Sequence, residues 1–162
     1  MTDKKYWGSD TVTTVGGKVI EVDFPHVVLS QQFSWEDLES LFKLTKILKR
    51  EIPKRTRKDW LSDIVMASVF YEASTRTRFS FESAASRLGA AIISSENAAD
   101  FSSAIKGETL EDTIRIISDK ADVIVLRHKQ NDSSIRASRF SGGAPIFNGG
   151  AGKGQHPTQG HL

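Results

Sequence analysis

Short apolar runs that alternate with helical segments constrain the fold of this chain more strongly than any other feature. The first run, residues 64–70, is apolar on both faces, which predicts a strand buried on both sides. Further strands are predicted at residues 91–93, 122–126 and 144–147. Strands that alternate with helices favour a parallel sheet covered on both faces. The expected fold class is therefore α/β, a three-layer α/β/α domain with a mainly parallel sheet of about four strands.

Capping and stop signals place the helices before and between these strands. Ser34 can cap a helix that ends before Pro53, and Asp37 completes an imperfect capping box. Three further helices are predicted at residues 75–88, 109–118 and 133–140. Gly89 follows the first of these three, where a glycine can end a helix in the left-handed conformation.

The N-terminal stretch differs from the rest of the chain. Residues 1–17 are polar and contain glycine, which favours a loose leader. Short extended pieces are predicted at residues 19–22 and 26–29. We therefore assign residues 1–24 to an N-terminal leader and residues 25–162 to one domain.

Composition narrows the classes of function. Twenty-two basic and twenty acidic residues leave a net charge of only +2, so we expect no nucleic acid or acidic membrane as a partner. The chain has no cysteine, and its four histidines lack the spacing of a zinc site, so no metal is expected. Without a signal-peptide pattern or an apolar run long enough to span a bilayer, a cytoplasmic protein is expected.

The segment Ser74-Thr75-Arg76-Thr77-Arg78 is the first candidate site, because ligands of parallel sheets bind beyond the carboxyl ends of the strands. The N–H groups and dipole of a helix start favour an anion, and three hydroxyls add further donors. Arg76 can donate two parallel hydrogen bonds to one anion. Arg78 points to another side of the helix, where Glu82 can pair with it. Taken alone, such a segment is more often a helix cap with two surface arginines than an anion site.

Other candidates follow the later strands. Arg127 ends the third predicted strand, and His156 and Gln159 follow a glycine-rich loop predicted at residues 149–154. His156 can donate a hydrogen bond to a carbonyl oxygen, and Gln159 can accept one from an amide. Lys106 could bring a mobile positive charge to an anion, although a solvated loop lysine is the simpler interpretation.

Together these segments resemble the aspartate/ornithine carbamoyltransferase family. Residues 74–82 are similar to its carbamoyl-phosphate signature, and residues 156–159, His-Pro-Thr-Gln, are similar to its second signature. Residues 102–113 and 125–128 resemble the aspartate branch in particular. The resemblance covers about residues 25–162 and identifies them as the carbamoyl-phosphate-binding domain.

The resemblance implies a reaction. The amine of L-aspartate attacks the carbonyl carbon of carbamoyl phosphate, and phosphate leaves to give N-carbamoyl-L-aspartate for pyrimidine biosynthesis. No metal or other cofactor is implied. The family also implies a homotrimer whose active sites are shared between subunits. Two alternatives stay open, an ornithine carbamoyltransferase-type enzyme and a non-catalytic anion-binding domain.

The family's functional residues carry over onto nine positions. Those implied to be catalytic are Arg76, Thr77, Arg127 and His156. The substrate-binding set consists of these four together with Ser74, Thr75, Ser102, Lys106 and Gln159. Ser102 and Lys106 would enter the site from a neighbouring subunit.

The chain departs from the family pattern in three respects. The second half of family members, an aspartate-binding domain, is absent, so we expect a fragment or truncated form that binds carbamoyl phosphate weakly. Ala151 stands where the family usually has an acidic residue, and Lys129 stands where it usually has a proline.

Overall fold

The computed structural model describes residues 12–15, 18–21, 26–52, 56–96 and 107–161 of the 162. The strands are β1 (Val12–Val15), β2 (Lys18–Glu21), β3 (Val65–Phe70), β4 (Ala91–Glu96), β5 (Val123–His128) and β6 (Ile146–Ala151). The helices are α1 (Trp35–Glu51), α2 (Thr75–Leu88), α3 (Leu110–Ser118), α4 (Ser133–Ser138) and α5 (Pro157–Gly160), preceded by a 3₁₀ turn at Ser30–Gln32. Among the described helices none is long and apolar enough to cross a membrane.

The main sheet has four parallel strands in the order β4-β3-β5-β6, which confirms the predicted α/β class. The chain leaves β3 towards one edge of the sheet and leaves β5 towards the other. The carboxyl ends of these two central strands therefore flank a point where the connections diverge, which is where open α/β sheets bind ligands. The register sets Phe70 beside Arg127 at this point, and the N–H of Tyr71 donates to the Arg127 carbonyl at 2.9 Å.

Alternate residues of β3 enter two apolar clusters, one on each face of the sheet. Ala67 packs in the cluster that contains Ile114 of α3 and Ala137 of α4. Phe70 packs in the other cluster with Ala85 of α2. Because each face of the sheet is covered by helices, the predicted three-layer arrangement is confirmed.

Local signals place the helix ends where the sequence predicts them. The hydroxyl of Ser34 accepts the N–H of Asp37 at 3.1 Å, and the Asp37 carboxylate accepts the N–H of Ser34 at 3.0 Å, so the capping box is complete. Gly89 ends α2 with a φ of 101°, the left-handed conformation expected of it. An added Cβ there would lie 2.7 Å from the Lys58 carbonyl oxygen, so close backbone packing also requires glycine.

The N-terminal region contains more regular structure than the sequence analysis expected. Val12–Val15 pairs with Lys18–Glu21 as an antiparallel ladder inside the predicted leader. Runs that contain β-branched residues on either side of two glycines are typical of hairpins. The extended piece predicted at residues 26–29 lies beside β6, where Val27 forms a parallel bridge with Phe147.

Candidate functional site

The N-terminus of α2 lies directly beyond β3. Ser74 is the N-cap residue, but its side chain makes no capping hydrogen bond. Ser74 and Thr77 are half-buried, whereas Thr75 and Arg76 are exposed at the first turn. The first N–H groups of this 14-residue helix have no acceptor within the helix. The segment therefore presents hydroxyls, N–H groups and one exposed guanidinium at the positive end of a helix.

Arg78 has a structural environment, as its spacing predicts. Its Nε lies 3.6 Å from Oε1 of Glu82, one turn along α2. The same carboxylate oxygen accepts the hydroxyl of Ser94 at 2.7 Å, which connects the pair to β4. Arg76 is thus the arginine of this segment that remains available to a ligand.

The side chain of Arg127, at the end of β5, is held by a backbone carbonyl and a carboxylate. Its Nη1 donates to the Gly149 carbonyl at 3.0 Å, and its Nη2 lies 3.8 Å from Oε2 of Glu72. Its Nε is buried and has no hydrogen-bond partner among the described residues. Gly150 has a φ of 125°, and an added Cβ would lie 2.2 Å from Arg127 Nη1. Only glycine at position 150 therefore leaves room for this guanidinium.

The glycine-rich loop predicted at residues 149–154 starts later than expected. Gly149 and Gly150 belong to β6, which continues to Ala151, and Ala151 pairs with His128. All three residues are buried, and the turn begins only at Gly152. Glycine is a weak strand former, so the local sequence does not predict that these residues pair with the neighbouring strand β5.

His156 connects the second predicted segment with the first. Its Nε2 lies 3.4 Å from the Thr77 hydroxyl, and its Nδ1 lies 3.3 Å from the Thr158 hydroxyl. Burial lowers the pKa of His156 below its ordinary value of 6.5, and the charge of Arg127 lowers it further. The ring is therefore mainly neutral at pH 7 and can donate one hydrogen bond to a ligand.

The remaining predicted site residues are Gln159, Ser102 and Lys106. Gln159 is exposed on α5, and its N–H donates to the His156 carbonyl at 3.0 Å. Ser102 and Lys106 lie outside the described residues. Glu72 was missed by the sequence analysis, although it follows β3 as the other candidates follow their strands. In the described part of the chain, no group of three His, Asp or Glu side chains is arranged to hold a metal ion.

Comparison with known proteins assigns this arrangement to a family. The sequence profile described as the carbamoyl-P binding domain of aspartate/ornithine carbamoyltransferases matches residues 25–162. The chain belongs to this family. The resemblance drawn from the two signatures is therefore confirmed, and it extends over the described sheet and helices.

Individual carbamoyltransferases match the same region. Aspartate carbamoyltransferase 2, chloroplastic, of Pisum sativum is 46% identical over 136 residues, which are 84% of this chain and 35% of the relative. The aspartate carbamoyltransferase catalytic subunit of Aliivibrio fischeri is 42% identical over 134 residues, 83% of this chain and 42% of the relative. The chain therefore spans less than half the length of these two carbamoyltransferases.

Solved structures of the family superpose on the fold. Aspartate transcarbamoylase from Trypanosoma cruzi in complex with carbamoyl phosphate has a TM-score of 0.77 at 36% identity, covering 84% of this chain and 43% of that one. The catalytic subunit of the M. Jannaschii enzyme has a TM-score of 0.75 at 40% identity, covering 84% and 44%. Another Trypanosoma cruzi structure is described as a complex with carbamoyl phosphate and aspartate.

Two histidines of this carbamoyltransferase domain should make its stability depend on pH. Burial and neighbouring positive charge hold the pKa of both His128 and His156 below 6.5. Because the unfolded chain then binds protons more readily, the free energy of unfolding should fall as the pH drops from about 7.5 to about 5.5. Urea unfolding at each pH measures this, and His156→Gln should make the dependence shallower. Stability that increased towards pH 5.5 would contradict the prediction.

Proposed function

We propose that this chain provides the carbamoyl-phosphate-binding half of an aspartate carbamoyltransferase. The observation that carries the proposal is the convergence of three side chains at the N-terminus of α2. The Thr77 hydroxyl lies 3.4 Å from Nε2 of His156, and Nη2 of Arg127 lies 3.8 Å from Glu72, three residues before the helix. Positive charge and N–H donors at this point suit a phosphate group. A neutral histidine next to them suits a carbonyl oxygen on which negative charge develops during reaction.

The start of α2 and the side chain of Arg127 bind the phosphate group. The hydroxyls of Ser74 and Thr75, the first N–H groups of α2, including that of Thr77, and the Arg76 guanidinium can all donate to phosphate oxygens. Arg127 retains donor capacity, because its Nε has no partner among the described residues and its contact with Glu72 is long, at 3.8 Å. A phosphate can therefore replace the carboxylate as the nearer anion.

A second set of residues, which shares members with the first, binds the carbamoyl group. Thr77, Arg127 and His156 donate towards its carbonyl oxygen, and the side-chain oxygen of Gln159 accepts from its amide. As the aspartate amine forms the C–N bond, the C–O bond to phosphate breaks, and the departing phosphate can take the surplus amine proton. Catalysis then consists of positioning and charge stabilisation, with no covalent intermediate on the protein.

The remaining parts of the proposal rest on family membership. We infer that L-aspartate is bound largely by the part of the full-length enzyme that this chain does not match. We infer a homotrimer in which Ser102 and Lys106 of one subunit complete the site of the next. The product enters pyrimidine biosynthesis, and the cytoplasm is the expected location.

Calorimetry at pH 7.5 with freshly dissolved carbamoyl phosphate and with inorganic phosphate tests the function. Carbamoyl phosphate should bind about tenfold more tightly, because its carbonyl and amide add hydrogen bonds that phosphate cannot make. Equal affinity would instead favour a simple anion-binding domain and would refute the carbonyl-binding role of His156. Sedimentation equilibrium of the same sample should give the mass of three chains, and a monomer would refute the shared site for this chain.

A further inference from the structure

His156 is carried by a tight turn that follows β6. The carbonyl of Ala151 accepts the N–H of Gly154 at 3.0 Å, and the N–H of Ala151 donates to the Gln155 carbonyl at 3.0 Å. His156 comes directly after this turn, and its carbonyl accepts the N–H groups of Gln159 and Gly160. The backbone is thus constrained on both sides of His156, so the position of its ring depends on the position of the turn.

A side chain from the loop after β5 fills the inner side of this turn. Oδ1 of Asn131 accepts the N–H of Lys153 at 2.9 Å. A Cβ added to Gly152 would lie 2.2 Å from the same oxygen, and one added to Gly154 would lie 3.7 Å from Cβ and Cγ of Asn131. Asn131 therefore packs against both glycines while it satisfies the backbone donor between them.

The end of β5 holds the turn at a second point. The N–H of Gly152 donates to the carbonyl of His128 at 2.9 Å. His128 is the last residue of β5 and follows Arg127 directly. The turn that carries His156 is thus connected through His128 and Asn131 to the strand end that carries Arg127.

The turn needs a side-chain acceptor from elsewhere in the chain. Ala151 is 1% exposed and has only a methyl side chain, so it cannot accept the N–H of Lys153. Gly152 has a φ of 52°, a conformation that glycine adopts readily and other residues rarely do. Without Asn131, a turn that contains two glycines would have one fewer contact to limit its motion.

We propose that Asn131 is a positioning residue that holds the turn of residues 151–155, and thereby His156, in place relative to Thr77 and Arg127. Its importance for ligand binding rests on the proposed function of His156. Its effect on the position of His156 does not, because that effect can be observed without any ligand. Asn131 itself does not contact the substrate; it acts through the turn.

The test compares three variants of the 162-residue chain by histidine NMR titration and by calorimetry with carbamoyl phosphate. Asn131→Ala removes the acceptor, and Asn131→Asp retains an acceptor oxygen. Gln130→Ala is the matched control, because Gln130 is exposed on the same loop but bonds Arg136 instead of the turn. Asn131 is exposed, so its replacement should leave the fold intact, and near-unchanged urea unfolding verifies this. A salt concentration of about 0.3 M screens the charge that aspartate adds.

Asn131→Ala should weaken carbamoyl phosphate binding about threefold to tenfold, the value of one hydrogen bond. It should also raise the pKa of His156 towards its ordinary value, because a ring that moves away from Arg127 and into solvent loses both causes of the shift. Asn131→Asp should restore most of the carbamoyl phosphate affinity and most of the lowered pKa of His156. Gln130→Ala should match the parent chain in both measurements. An unchanged pKa of His156 in Asn131→Ala would overturn the positioning role. Failure of the parent chain to bind carbamoyl phosphate would refute the proposed function, while the titration would still decide the role of Asn131.

Discussion

Replacing Arg127 with alanine should weaken carbamoyl phosphate binding by about 1.5–3 kcal/mol, a loss of roughly tenfold to a hundredfold in affinity, because a charge-assisted contact disappears. Arg127 lies at the divergence of the sheet connections, and its Nε is buried without a partner among the described residues. Removing it also leaves the carboxylate of Glu72, 3.8 Å from Nη2 in the parent chain, without this positive neighbour, and a negative charge there repels an anion. Calorimetry of the variant and the parent chain measures the loss.

The same variant has a second observable consequence that needs no ligand. Because the charge of Arg127 lowers the pKa of His156, that pKa should rise in Arg127→Ala, and an NMR titration detects the rise. Arg139→Ala removes the same charge from an exposed position at the end of α4 and serves as the control. Equal affinity losses in the two variants would show that overall charge, and not this site, binds the anion.

Replacing Ile114 with alanine should lower the free energy of unfolding by about 2–5 kcal/mol. Ile114 is fully buried in the cluster between the sheet and the helices α3 and α4. Shortening it removes apolar contact and leaves a cavity, because the strands beneath cannot move inwards without breaking their ladder. Urea unfolding followed by circular dichroism gives the change. An unchanged slope would show that the same amount of surface is exposed on unfolding.

Ile116 offers a matched control for this prediction. It is an isoleucine on the same helix, two residues further on, but its side chain is 50% exposed. Ile116→Ala should change the free energy of unfolding by no more than about 0.5 kcal/mol, as is usual at surface positions. Similar losses in both variants would mean that helix propensity and not the cluster determines the effect, and would contradict the assignment of Ile114 to the core.

Local sequence signals were sufficient to predict most of the helices and strands. The bounds predicted for α2, residues 75–88, agree with the structure, because Gly89 adopts the left-handed conformation that ends a helix. The capping box of Ser34 and Asp37 likewise depends on residues three apart. Such signals act over a few residues and need no tertiary structure to operate.

Local sequence signals did not predict contacts between residues that lie far apart in the chain. The sequence predicted a loop from residue 149, but Gly149 and Gly150 continue β6 because β5 pairs with it and the Arg127 side chain packs on Gly150. Asn131 carries no motif of its own, and only the proximity of the turn at residues 152–154 gives its side chain a role. Neither contact can be read from spacing, since more than fifteen positions separate the partners in each case.

The sequence by itself determined the α/β class, the family and the bounds of the helix at residues 75–88, because each depends on local patterns or on ordered motifs. The tertiary structure decided that Thr77 and His156, 79 positions apart, lie 3.4 Å from each other, and that Arg127 lies 3.8 Å from Glu72 in the segment between β3 and α2. The physical reason is the strand order: β3 and β5 are neighbours although β4 lies between them in the chain, and β6 pairs with β5. Long-range backbone pairing, which no local preference specifies, brings the loops beyond these strands to one point.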